Sequence, residues 1–399
     1  MQRAARALPR GRLQLLPDER DRRPAGRAGP ARDDRRRDHS PRPSDGRVKI
    51  TFLCPHLRVA GGVRAILTYA DRLAASGHDV AVVVEAKGRG RALWRSLTHA
   101  GPAWVPGFRA RVVWVNRWRA NQLPEGDAVV ATAWQSAAAV AAAPARCGRK
   151  FYLVQHYESL YHGTPAAVDE TYRLPLRKIA ISTWLRDIVR ERFDSDADVV
   201  VTPVDRALFH PVPVPPAPQG PRVLMLHHEY AWKGVADGFA AVARVKDRVP
   251  SVRLVGFGVK PPRTPAAYDE FHANPPQGKL ATIYSGCEIY LCPSWDEGLG
   301  MPPMEAMACG AALVTYDNGG CRDYARDGET ALVAARRDVA DLAIKLERLA
   351  VDSALRARIA KTGSAWVTTA FDWDRAVRRM EEILAAGAVA GDDQARRRA

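Results

Sequence analysis

The sequence predicts an α/β protein made of two successive open, parallel-sheet halves. Three observations carry this expectation. Short β-branched, apolar runs alternate with amphipathic helical segments, the pattern of β-α-β units. The alternation occurs twice, on either side of a proline-rich stretch, "HPVPVPPAPQGP" from His210 to Pro221. The chain of 399 residues, 47% hydrophobic and 26% charged, has the length and composition of two ordinary globular domains. Two such halves joined by a hinge bind ligands in the cleft between them, at the C-terminal ends of the strands.

Residues 1–47 are rich in Arg, Pro, Gly and Asp and almost empty of β-branched and aromatic residues. They are expected to form a disordered arm or to be an extension upstream of the natural start, and they lack the apolar core of a signal peptide. Order begins at "VKITFLCP", Val48 to Pro55, which has the character of a buried strand. Val63, Ile66, Leu67, Ala70, Leu73 and Ala74 then repeat with helical spacing, Gly77 ends that helix, and "DVAVVVEA" is the next strand. Further strands are expected at Asp127–Ala133, Lys150–His156, Lys178–Ser182 and Asp196–Pro203. After the linker, "RVLMLHH", "SVRLVGFG", "EIYLCPS" and "AALVTYD" are strands. One helix starts near Gly234, another carries Met304, and "DVADLAIKLERLAVD" and "WDRAVRRMEEILAAG" are closing amphipathic helices. The expected division is an arm (1–47), an N-terminal domain (48–210), a linker (211–221), a C-terminal domain (222–370), a closing helix packing back on the N-terminal domain (371–390) and a tail (391–399).

The net charge of +16 is consistent with contact with an anionic partner or substrate. Basic and aromatic residues do not alternate as in a nucleic-acid platform, so no nucleic-acid partner is expected. The six cysteines form no C-x-x-C pair, which suits a reducing, cytoplasmic setting rather than a disulfide framework. No apolar run approaches the length of a membrane-spanning helix.

The chemistry is expected at "EGLGMPPMEAMACG", Glu297 to Gly310. Trp295–Gly300 is a loop after a strand. Pro302 and Pro303 suit the opening turn of a helix, where a missing N–H costs nothing, and Gly310 stops that helix. Glu305 then falls in the first turn and Glu297 in the loop before it. The N–H groups around Leu299 to Met304 form a terminus that favours an anion, while an acid beside it accepts hydrogen bonds from a diol such as ribose. A glutamate there also caps the helix and complements its dipole, and spacing alone does not separate these roles.

Glu297-x7-Glu305, within "PSWDEGLGMPPMEAMACGAALVTYDNGG", closely resembles the E-x7-E signature of family 4 retaining glycosyltransferases, which have the GT-B fold. The resemblance covers most of residues 48–385. "LRVAGGV" is similar to the family's diglycine loop, "TPVDRALFHP" to the segment before its interdomain linker, "WKG" to its Lys-Gly turn, and "LVGFG" to its second-domain strand end. "VQHYESLYHGTPAAVDETYRLPLRKIAISTWL" resembles a rhamnosyltransferase-like branch that builds bacterial surface glycans.

The resemblance implies two Rossmann-like domains facing across a cleft, acceptor-side first and donor-side second, with acceptor loops mainly between residues 88 and 175. It implies that Glu305 holds the ribose hydroxyls and Glu297 the donor sugar's hydroxyls. Lys233 neutralises the diphosphate, N–H groups of Leu299, Gly300 and Met301 help hold sugar and phosphate, Gly61 and Gly62 admit the pyrophosphate, and His156 lines the sugar site. The family usually places an Arg five residues before the Lys; here that position is His228, so either His228 is protonated beside the phosphate or another Arg substitutes. The implied partners are a nucleotide-diphosphate sugar, as co-substrate rather than cofactor, and a glycan or lipid-linked acceptor, with peripheral contact at the inner face of the cytoplasmic membrane. No metal is required. Two other classes stay open: a nucleotide-sugar epimerase on the same fold and a glycosyltransferase-like binding module without turnover.

Other features point to less. "DSDAD", Asp194 to Asp198, lacks the glycine of a calcium loop and suits a solvated turn, and "HHE", His227 to Glu229, lacks a third zinc ligand. Glu85 ends a strand where a dinucleotide fold places an acid, but "RVAGGVRA" lacks the required glycine pattern. His56, His78 and His162 are surface or capping histidines. Trp104, Trp114, Trp118 and Trp134 suit a core or the lining of an acceptor cleft.

Overall fold

The computed structural model describes residues 47–86, 88–98, 101–215, 220–262 and 268–386. Residues 1–46, most of the expected arm, and the expected tail lie outside them. The first half holds strands β1 (Lys49–Cys54), β2 (Asp79–Glu85), β3 (Arg111–Val115), β4 (Ala128–Ala131), β5 (Arg149–Val154), β6 (Arg177–Ala180) and β7 (Ala197–Val199). They form one sheet in the order β3-β2-β1-β4-β5-β6-β7. The second half holds β8 (Arg222–Leu226), β9 (Arg253–Gly258), β10 (Glu270–Ala273), β11 (Ile289–Cys292), β12 (Ala312–Tyr316) and β13 (Leu332–Ala334), in the order β10-β9-β8-β11-β12-β13. The pairings are parallel throughout.

Helices cover both faces of each sheet: α1 (Gly61–Ala75), α2 (Arg89–Leu97), α3 (Trp134–Ala141), α4 (Pro165–Arg173) and α5 (Thr183–Phe193), then α6 (Val235–Lys246), α7 (Gln277–Ser285) and α8 (Met301–Ala308), and last α9 (Val339–Val351), α10 (Ser353–Thr369) and α11 (Trp373–Ala385). That cover explains why the central strands are apolar along their length rather than alternating. Every residue of β4, β11 and β12 is buried. In α1 the helical stripe Val63, Ile66, Leu67, Ala70 and Leu73 faces inward, and Gly77, at φ 98°, turns the chain out of the helix.

The sequence missed β3, β10 and β13 and overextended β7, which closes after three residues. All four lie at sheet edges. An edge strand is short and half-covered, so it lacks the apolar run that announces a central strand. Helix α10, between the two expected closing helices, also went unread; it buries only Ile359, Gly363 and Val367 along its length.

In each sheet strand order reverses once, between β1 and β4 and between β8 and β11, leaving a crevice at the strands' C-terminal ends. Helix α11 follows the second half in sequence but lies on the first. Trp373 meets Tyr69 of α1 edge-on, with ring centroids 5.0 Å apart, and Arg379 reaches Asp198 at 3.0 Å. Arg149 donates to the carbonyl oxygens of Leu384 and Ala386. All six cysteines are buried free thiols. Burial pushes those of Cys54, Cys287, Cys309 and Cys321 up to about 12.

Replacing the buried Trp373 by Ala removes the ring that joins α11 to α1. The expected loss is about 3 kcal/mol of unfolding free energy, read by denaturant titration; an unchanged midpoint would mean that α11 adds nothing to the first half.

Candidate functional site

Two loops at the β8/β11 crevice supply the first charged pair. Lys233 ends a short 3₁₀ turn after β8. Gly234 follows at φ 63°, and a Cβ there would stand 1.9 Å from the carbonyl oxygen of Pro293. Only glycine lets the start of α6 pass so close beneath the end of β11. Glu297 lies in the loop from β11 to α8. Its backbone N–H donates to the Asn318 carbonyl at 3.0 Å, which pins the loop to the end of β12. Lys233 Nζ donates to Glu297 Oε1 at 2.7 Å, and Glu297 is 8% exposed. Burial alone would raise the Glu297 carboxyl. The charge and hydrogen bond of Lys233, helped by His156, outweigh burial and hold it below the usual carboxylate range.

His156 comes from the other half, two residues beyond β5. It is half-buried, with both ring nitrogens out of solvent and without a hydrogen-bond partner. Burial lowers its pKa, with opposing fields from Glu297 and Lys233, so the ring is neutral near pH 7. A neutral imidazole with both nitrogens unsatisfied can accept one hydrogen bond and donate another.

The two halves touch around these groups. A Cβ on Gly298 would lie 1.9 Å from the Gln155 carbonyl oxygen, and one on Gly319 would lie 2.5 Å from the Trp184 ring. Tyr161 stacks on Trp232 at 4.1 Å and its hydroxyl donates to Asp296, which also holds Arg336. The Thr183 N–H donates to Asp323 Oδ2 at 3.0 Å.

Glu305 sits in the second turn of α8, not the first as expected. Gly300, at φ 96°, is the N-cap, so Met301 to Met304 make the first turn. Glu305 is 4% exposed and bound on both oxygens: Arg64 Nη1 donates to Oε1 at 2.6 Å and the Tyr284 hydroxyl to Oε2 at 3.0 Å. Burial raises its carboxyl and Arg64 works against that. Arg64 belongs to α1, so this pair also bridges the halves. With Gly61, Phe209, Gln277 and Met301 the two line a cavity of about 300 Å³. Arg64 was missed from sequence; the available signal was a basic residue in the first turn after a diglycine helix start.

The N–H donors at the start of α8 are fewer than expected. Pro302 and Pro303 have none, and the Met304 N–H is turned to the Gly300 carbonyl at 3.4 Å. Leu299, Gly300 and Met301 remain as the residues whose N–H groups lie ahead of the helix. Leu299 is buried, and Gly300 is required because a Cβ would lie 2.5 Å from the Tyr324 hydroxyl. Gly61 and Gly62 open α1 rather than a loop. A Cβ on Gly61 would meet nothing within 4 Å, whereas one on Gly62 would press on the Gln155 side chain at 3.2 Å. His228 stands beside Lys233 on the same loop, where a bound anion would favour its protonated form. Burial first, then the charge of Lys233, push its pKa down, and its Nδ1 already accepts from the Tyr230 N–H at 3.1 Å.

Among the described residues no three His, Cys, Asp or Glu side chains cluster as metal ligands. Asp194 is the left-handed C-cap of α5 and Asp198 pairs with Arg177 and Arg379, so "DSDAD" is a turn and a strand end. His227 faces Tyr268 and Glu229 faces Lys260, which separates the members of "HHE". Trp114 is buried, while Trp104, Trp118 and Trp134 are partly buried against the core.

Comparison with known proteins decides what this arrangement belongs to. Residues 213–366 match the family described as glycosyl transferases group 1. The match lies in the second half, from the linker to α10. The chain is 32% identical over 278 residues to the O-antigen biosynthesis protein RfbC of Myxococcus xanthus, covering 67% of the chain and 21% of RfbC. It is 27% identical over 147 residues to N,N'-diacetylbacillosaminyl-diphospho-undecaprenol alpha-1,3-N-acetylgalactosaminyltransferase of Campylobacter jejuni, covering 36% of the chain and 39% of that protein. The chain thus spans well under half the length of either relative. Its fold matches that of sucrose-phosphate synthase from Thermosynechococcus elongatus, with a TM-score of 0.72 over 86% of this chain and all of that one, at 16% identity. The architecture is GT-B: two Rossmann-like parallel-sheet halves.

Gly298→Ala drives a methyl into backbone that has no rotamer to yield. The expected cost is about 2 kcal/mol, with faster amide exchange at residues 155–161; Gly61→Ala should leave both unchanged, and equal behaviour of the two variants would refute the close approach. Glu158, just beyond His156, accepts from the Trp134 N–H at 2.9 Å and the Tyr152 hydroxyl at 3.0 Å. Burial pushes its carboxyl up to about 7. The folded state therefore binds a proton the unfolded chain has lost, and stability falls by about 3 kcal/mol as pH rises from the ordinary carboxylate value through about 7. Glu158→Gln should flatten that fall in a melting-temperature series; an identical slope would place the titration elsewhere.

Proposed function

We propose that the protein is a retaining glycosyltransferase that moves a sugar from a nucleotide-diphosphate donor to a glycan or lipid-linked acceptor. One observation carries the reading: Lys233, Glu297 and the unpartnered His156 converge from both halves at the start of α8. The names of the relatives, an O-antigen biosynthesis protein and a transferase acting on a diphospho-undecaprenol acceptor, support a setting in bacterial surface polysaccharide synthesis; peripheral contact at the inner face of the cytoplasmic membrane is part of the proposal.

Departure of a nucleoside diphosphate builds negative charge, and fixed positive groups at that point stabilise the transition state. Lys233 spends one of its three N–H bonds on Glu297 and has two for phosphate oxygens. The N–H groups of Leu299, Gly300 and Met301 add donors ahead of α8. Arg64 brings a guanidinium to the wall opposite Glu305, with its Nε buried and unpartnered, and takes the role left by His228. Glu305 accepts from the ribose hydroxyls with lone pairs that Arg64 and Tyr284 leave open. Glu297 and His156 hold the donor sugar's hydroxyls. Open space beside Gly61, and the fit of Gly62 against Gln155, let backbone approach the diphosphate. The incoming hydroxyl attacks the face the diphosphate leaves, and a departing phosphate oxygen takes its proton. The anomeric C–O bond to phosphate breaks as the new glycosidic bond forms, so configuration is retained without an enzyme nucleophile, metal or cofactor.

Thermal shift with UDP, GDP and dTDP tests the donor site. One diphosphate should raise the melting temperature, and Glu305→Ala should abolish the rise; no rise with any of them would sink the reading. Lys233→Ala should slow transfer by about 100-fold or more while retaining the fold. Isomerised sugar or free nucleotide formed equally fast without acceptor would identify an epimerase instead.

A further inference from the structure

Helix α2 differs from the other helices in what it shows to solvent. Of its nine residues only Ala92 is buried. Leu93 is 62% exposed, Trp94 62% and Leu97 72%. Leu93 and Leu97 are one turn apart, with Trp94 beside them, so the three form one apolar stripe. Most other exposed large apolar residues, such as Val259 and Ile344, stand apart from one another on separate elements. Such scattered residues need no explanation, but a contiguous stripe does.

The charges on α2 are of one sign. Arg89, Arg91 and Arg95 share the helix with the stripe, and it contains no acid. Arg95 lies over the Trp114 ring at 4.3 Å, which fixes one edge of the helix to β3. Across a groove of about 880 Å³, lined by Arg58, Arg91, Trp94 and Arg95, the exposed Arg58 and Val59 repeat the pairing of cation and apolar side chain. Trp104 lines both this groove and the Arg64–Glu305 cavity. A surface seated on α2 therefore stands beside the path to the cleft.

We infer that α2 docks the protein on an anionic lipid bilayer, with Leu93, Trp94 and Leu97 entering the headgroup–acyl boundary and Arg89, Arg91 and Arg95 meeting lipid phosphates. Leu and Trp on one face, with arginines as the only charged residues on the remainder, is the composition of a helix that lies in the plane of the interface. Each arginine near a negative leaflet adds to the attraction, and salt screens it. A protein partner would be met as readily by mixed charges, whereas a helix whose charges are all cationic complements an anionic surface; the one acid of the groove, Glu85, lies at the end of β2 and not on α2. The position of α2 beside the groove has its use if the acceptor is lipid-linked, and to that extent the inference rests on the transferase reading.

The test is co-sedimentation of the full chain with phosphatidylcholine vesicles, with and without about one-third phosphatidylglycerol, at low and high salt. The expected result is binding to the anionic vesicles only, weakened by salt. Leu93→Glu/Leu97→Glu should reduce the vesicle partition coefficient by roughly tenfold or more at an unchanged melting temperature, because both side chains are exposed. Arg89→Gln should weaken binding by a smaller factor. Failure of the wild type to sediment with anionic vesicles, equal binding to neutral vesicles, or a Leu93/Leu97 variant that binds like the wild type would each overturn the inference. Nucleotide thermal shift on the same preparations reports separately on the donor site, so vesicle binding without a nucleotide response would sink the transferase reading and leave the docking surface standing.

Discussion

A carboxylate removed from water must be given a cation, and at Glu297 that cation is Lys233. The geometry of the cleft follows from this requirement. Lys233 reaches the acid because Gly234 lets α6 begin beneath β11. Glu297 stays within reach because Asn318 holds the loop to the end of β12. Removing Lys233 would leave the buried Glu297 charge without its cation, at a cost of about 3 kcal/mol. The pair therefore fixes the loop, and the loop fixes the start of α8.

The second pair works differently. Arg64 and Glu305 belong to different halves, so their 2.6 Å contact holds only while the halves are together. The same is true of Gly298 against Gln155 and of Tyr161 stacked on Trp232. Three unlike contacts, an ion pair, a backbone approach and an aromatic stack, set one relative position. A ligand arriving between Arg64 and Glu305 competes with the ion pair for the same lone pairs and protons, which links occupancy of the cavity to the separation of the halves.

The centre of each sheet was legible because a strand covered on both faces must be apolar along its length, as "VKITFLCP" and "AALVTYD" are. Its edges were not: "EFHA" of β10 carries no such run. Spacing alone left Glu305 a helix cap; Glu297, Glu305, Lys233 and His156 were singled out by the resemblance of their surroundings. What stayed hidden was which charge faces which. Arg64 lies 241 positions from Glu305 in the chain, and no local pattern ties them. The turn holding Glu305 was misjudged because Gly300, in a left-handed conformation, caps a helix that already starts at Met301, ahead of the two prolines.

The burial of all six cysteines gives the molecule a chemically quiet exterior. A thiol shifted up to about 12, as at Cys54 and Cys321, holds almost no thiolate near neutral pH and reacts slowly with alkylating reagents or disulfides. A single cysteine introduced on an exposed face of each half would then stand out kinetically from the native ones. Two probes could be attached selectively without stripping native cysteines from the core, and the distance between the halves followed directly in solution.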